Sequence, residues 1–141
     1  MILKREVVLR AVVTEKLKQA LIEDVQAAMG RVDESQEELD RQSRRLMLEL
    51  QRTDLNRAMS FRQQLDIEKR KHEDAKAQLQ EQLTAYRGLE IGTEIVRGAL
   101  ESHVEVKVGD NFEEKMGRAE ILVEDDKIKE IRDPAPARDE E

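Results

Sequence analysis

Apolar positions change their spacing along this chain, and each change marks an element. Residues 2–13, ILKREVVLRAVV, are dense in β-branched side chains and run up to Thr14, a good N-cap for Glu15-Lys16-Leu17. A strand leading into a helix is therefore predicted. From Thr14 to Arg87 there is no Pro, and the single Gly is Gly30. Within it Leu21, Val25, Ala28, Val32, Ser35, Leu39, Gln42 and Leu46 follow one another at alternating steps of four and three. That spacing is the heptad seam of a coiled coil, diluted by Ser35 and Gln42. The seam resumes at Ala58, Phe61, Leu65, Glu68, His72, Ala75, Leu79, Gln82 and Tyr86 in a frame that does not continue the first. Something interrupts the helical stretch between about Leu50 and Ala58.

Two architectures satisfy this break. A tight turn near Gln51-Arg52-Thr53-Asp54 would fold two helices into an antiparallel hairpin roughly 55 Å long. Alternatively, one helix would run for roughly 110 Å and find its seam in an antiparallel dimer. The near-equal halves around Thr53, with Thr and Asp as caps, favour the hairpin; the lack of Gly, Pro or Asn-Gly at that point favours the rod.

After Gly88 the period becomes two. Leu100, Ser102, Val104, Val106 and Val108 alternate with Glu101, His103, Glu105 and Lys107, as in a half-buried strand ended by Gly109-Asp110-Asn111. A second strand is predicted through Ala119, Ile121 and Val123, turning at Asp125-Asp126 and returning over Lys127–Ile131. So few short strands need the N-terminal strand as a partner, so the chain ends should meet in one small antiparallel β-module. Residues 133–141, DPAPARDEE, read as a disordered acidic tail.

Composition supports the extended helical picture. Charged residues make up 40% of the chain and aromatic residues 2%, with no Trp, too little bulky apolar material for one globular core of this length. Residues 14–88 are instead rich in Ala, Glu, Lys, Leu, Arg and Gln. The net charge of −7 is uneven. Residues 1–13 hold three basic groups and one acidic, residues 14–88 fourteen and fifteen, and residues 89–141 eight and sixteen. The acidity thus sits at the C-terminal end, which argues against phosphate binding there. With no Cys, disulfides and thiolate metal sites are excluded. No apolar run reaches the length of a signal-peptide core or of a membrane span, so the cytoplasm is the expected compartment.

One window departs from the rest. Arg41, Arg44, Arg45, Arg52, Arg57 and Arg62 face only Glu49 and Asp54 between residues 41 and 62. The same window holds Leu46, Met47, Leu48, Leu50, Leu55, Met59 and Phe61, more than one seam covers. Guanidinium forks there would bind phosphates or an acidic protein surface, and Met59 and Phe61 would add apolar anchors. The plainer alternative is a solvated charged face with extra core at a turn. Other candidates are weak. His72 lies in the seam, and Glu68 precedes it by four residues instead of the three of a di-metal Glu-x-x-His pair. His103 has no nucleophile–acid set beside it, Gly88, Gly92 and Gly98 lack the order of a phosphate loop, and Asp125-Asp126 offers too few ligands for a Ca²⁺ loop.

The run Val104–Met116, VEVKVGDNFEEKM, followed by EILVEDD at 120–126 and IKEIR at 128–132, resembles the bacterial YlqD family. The order of strand, Thr-Glu-Lys helix start, long charged helical stretch and closing segment is similar to that family over nearly the whole length. Asp126 stands where such proteins often carry a Gly in the last turn. The resemblance implies no catalytic residues and no assigned activity; its one functional hint is an association with ribosome-maturation genes in some bacteria.

The sequence thus leads to an α+β protein. It comprises an N-terminal strand (1–13), coiled-coil helices (14–88), C-terminal strands (89–132) and a tail (133–141). The expected function is a non-catalytic scaffold or adaptor that forms a homo-oligomer, with an RNA- or ribosome-associated factor as the alternative. No cofactor, metal, small-molecule substrate or membrane contact is expected.

Overall fold

The computed structural model describes residues 1–133. The element order is β1 (Ile2–Val12), α1 (Glu15–Thr53), α2 (Leu55–Arg87), β2 (Glu94–Glu105), α3 (Phe112–Met116), β3 (Ala119–Glu124) and β4 (Lys127–Arg132). Two compact units result: residues 19–88, and a sheet unit of residues 1–18 with the chain from Leu89 onward.

In the sheet unit the strand order is β2-β1-β3-β4, so the N-terminal strand is central. The sheet is mixed, which corrects the antiparallel expectation: β1 pairs antiparallel with β2 but parallel with β3. The cause lies in residues 106–118. The chain leaves β2 and enters β3 at the same end of the sheet, so this segment with α3 carries it past the end of β1, and β3, opposite in direction to β2, lies parallel to β1. Asn111 caps α3, its side chain accepting from the Glu114 backbone N–H. Asp125 and Asp126 both adopt positive φ, 46° and 68°, which a two-residue primed hairpin turn requires. The β2 strand begins at Glu94, earlier than its alternation suggested, because Gly98 and Arg97 break the period there.

The parallel register places Val7, Leu9, Ala11, Ala119, Ile121 and Val123 on one face and Val8, Arg10, Glu120 and Leu122 on the other. On the second face a charged network covers apolar residues. Arg10 Nε lies 3.1 Å from Glu120 Oε1, and Arg132 on β4 reaches Glu94 on β2 at 2.7 Å. A flat sheet would hold its two edge strands about 14 Å apart. The two long side chains span that distance and join the edges across this face, where Leu122 is only 3% exposed.

In the helical unit α1 ends at Thr53 and α2 starts at Leu55, so the stretch is two helices and not one. Asp54 is extended, and its carboxylate accepts from the Arg57 backbone N–H. The least exposed side of α1 runs Leu21, Val25, Ala28, Val32, Gln36, Leu39, Ser43, Met47 and Leu50. Its steps repeat four, three, four, an eleven-residue period that keeps to one side of a nearly straight helix. The seven-residue frame read from sequence drifts off this side: Ser35, Gln42 and Leu46 are exposed, and Gln36, Ser43 and Met47 replace them. In α2 the occluded side is Ala58, Phe61, Leu65, Lys69, His72, Ala75, Leu79, Leu83 and Tyr86, with Lys69 and Leu83 replacing Glu68 and Gln82. Two ion pairs join the helices, Lys76–Asp33 at 2.9 Å and Lys69–Asp40 at 3.7 Å. Of the proposed acidic tail, residues 134–141 lie outside the described residues, and Asp133 is held by Arg5.

Candidate functional site

The helix break at Asp54 organises the residues that the sequence singled out. Because Asp54 stops one helix and caps the next, the C-terminal turns of α1 and the N-terminal turns of α2 adjoin it. Arg41, Arg44, Arg45, Arg52, Arg57 and Arg62 are all exposed. Arg41 is engaged by Glu38 at 2.7 Å, while among the described residues none of the other five makes an ion pair. Met59 is 67% exposed. Phe61 is half-buried on the occluded side of α2 and belongs with Leu65 in packing.

Two exposed leucines strengthen this surface. Leu48 and Leu55 expose 62% and 68% of their area, and Leu48 lines a groove with Arg44, Met47, Leu65 and Lys69. The apolar surplus at 46–61 pointed to them in general, but assigning them needed the correct helical phase. The arrangement offers guanidinium donors around an apolar strip, which suits an anionic surface with some apolar character.

The other candidates have local roles. His72 is half-buried, and its Nδ1 is buried without a hydrogen-bond partner. His103 is exposed on β2 opposite Lys4. Gly92 serves a turn at φ 93°, and Asp125 accepts a 2.7 Å hydrogen bond from the Thr14 hydroxyl, which also caps α1. Among the described residues no group of three His, Asp or Glu is placed to hold a metal, and no helix is long and apolar enough to cross a membrane. The titrating groups with clear shifts lie in the sheet unit. Arg132 donates to Glu94 and holds its carboxyl below the ordinary range, and the Asp133 carboxylate raises the Arg5 guanidinium.

The fold has a solved counterpart. A crystal structure of a protein of unknown function from Synechococcus sp. WH 8102 superimposes with a TM-score of 0.79 at 27% identity, covering 94% of this chain and 95% of that one. No curated protein matches. The family model described as YlqD protein matches residues 1–132.

Proposed function

The chain belongs to the YlqD family, and from that premise we propose that it is a non-catalytic, oligomeric scaffold or adaptor of the cytoplasm. In this reading α1 and α2 form an antiparallel coiled-coil hairpin whose turn at Asp54 is a partner-binding tip. The two inter-helix ion pairs support the hairpin, since the residue number falls on α1 as it rises on α2. The occluded sides support it too: each helix has a single one, running from Leu21 to Leu50 on α1 and from Ala58 to Tyr86 on α2. Probes at Asp33 and Lys76 in one chain should lie within about 15 Å; a continuous helix would set them roughly 65 Å apart.

The observation that carries the adaptor reading is the set of exposed arginines without ion pairs around Leu55 and Met59. Phosphate binding alone has no use for exposed Leu and Met, and single-strand RNA recognition favours stacking aromatics, of which the tip has only the half-buried Phe61. An acidic protein surface with apolar anchors fits both features. Reversing Arg45, Arg52, Arg57 and Arg62 to Glu should abolish capture of the partners that the native chain retains; an unchanged set would refute the tip. The RNA alternative predicts binding of structured RNA that weakens steeply with salt in a filter assay.

A further inference from the structure

The outward side of α1 carries a pattern that its occluded side does not explain. Gly30, Glu34, Glu37, Arg41, Arg44 and Leu48 are all exposed. Their steps of four, three, four, three and four place them on one stripe about 130° around the helix from Gln36, Leu39, Ser43 and Met47, with Arg44 and Leu48 also reaching the groove that Met47 and Leu65 line. Outward from position 39 in both directions, the stripe complements itself. Glu37 mirrors Arg41, Glu34 mirrors Arg44, and Gly30 mirrors Leu48. Leu48 is 62% exposed. Gly30 interrupts a helix interior, where glycine is less stable than alanine, and nothing lies within 4 Å of where its Cβ would stand.

We propose that α1 of a second copy of this chain lies antiparallel along this stripe, on a two-fold axis at position 39. Each Leu48 then seats over the opposing Gly30, whose missing side chain lets the helices approach, while Glu34 and Glu37 meet Arg44 and Arg41. This is an isologous contact, the same patch used by both copies. An in-register parallel pairing, or an antiparallel one shifted by a heptad, opposes like charges. A parallel pairing staggered by seven residues pairs opposite charges but is heterologous and does not close into a dimer, so charge order and closure together select this register. The helical unit also has reason to recruit more burial. Among its described residues only Leu21, Val25, Ser43, Ala58 and Leu83 are buried. The proposal rests on the oligomeric scaffold reading and gives that oligomer its surface, without requiring the arginines nearer Asp54 to hold anything.

The chain has no cysteine, which makes the test clean. In Gly30→Cys/Leu48→Cys the two thiols of one helix stand about 27 Å apart, beyond disulfide reach within a chain. Mild oxidation should convert this variant to a covalent dimer, whereas each single-Cys variant stays uncrosslinked. In sedimentation at low ionic strength the native chain should be dimeric, and E34R/E37R and R41E/R44E should each be monomeric. The fourfold variant should dimerise again, with helical circular dichroism unchanged throughout. A native dimer that neither crosslinks nor responds to charge reversal overturns this interface and leaves the scaffold reading standing. A monomeric native chain overturns both.

Discussion

Arg5 shows how much of the fold rests on single side chains. It stands on the central strand with its side chain 9% exposed, donates to both carboxylate oxygens of Asp133 at 3.0 and 2.6 Å, and lies near the Lys115 carbonyl. Replacing Asp133 with Asn leaves a largely buried guanidinium half-compensated. The sheet unit should lose about 2 kcal/mol in urea denaturation, less than a fully buried pair because Asp133 keeps some solvent. Glu94 makes a pH-dependent contribution. Its folded-state pKa is depressed by Arg132, so the stability it adds is present above the ordinary carboxylate range and lost as pH falls through the lowered value. Thermal melts of native chain and Glu94→Gln should differ by a constant amount from neutral pH down to that range and converge below it. Neither residue announced its role in the sequence. Asp133 reads as the start of an acidic tail because its partner lies 128 positions away, and Glu94 precedes the stretch where alternation becomes visible.

The helices and strands were legible wherever local pattern decides them. Thr14 caps α1 and the Asp125-Asp126 turn closes the last hairpin, both as their chemistry dictates. The helical phase was legible through residues 21–32 and over most of α2. It was lost beyond Val32 on α1 and at Lys69 and Leu83 on α2, because polar Gln36, Ser43 and Lys69 occupy occluded positions and leave the apolar pattern too sparse to hold the frame. His72 invites a direct test. Its orphaned Nδ1 is desolvated without a partner, so His72→Leu should stabilise the helical unit by about 1 kcal/mol in thermal melts. The α3 turn was missed since five residues show no period, and with it went the connection that carries the chain past β1 to β3. Both edge strands also carry an irregularity: Arg97 on β2 and Lys129 on β4 are passed over in the pairing register. A bulged basic residue on each rim discourages strand addition by other chains.

At the scale of the molecule, charge and composition separate a helical middle from strand-forming ends, and the chain forms two compact units, residues 19–88 and a sheet unit that holds all four strands. The sheet order could not be foreseen, because the pattern of β1 says that it is a strand but not which neighbours flank it. Its central place has a consequence for biogenesis. On the ribosome β1 emerges before all of its partners, and the whole of α1 and α2 must be translated before β2 appears, on the order of ten seconds at about 5–20 residues per second. For that interval a nascent ILKREVVLRAVV segment has its amides unclaimed and is exposed to pairing with other chains. A fragment of residues 1–88 should reproduce this stalled species and scatter light at concentrations where residues 19–88 stay clear. In living cells, slowing elongation ahead of residue 94 should lengthen the vulnerable window and raise the yield of insoluble chains.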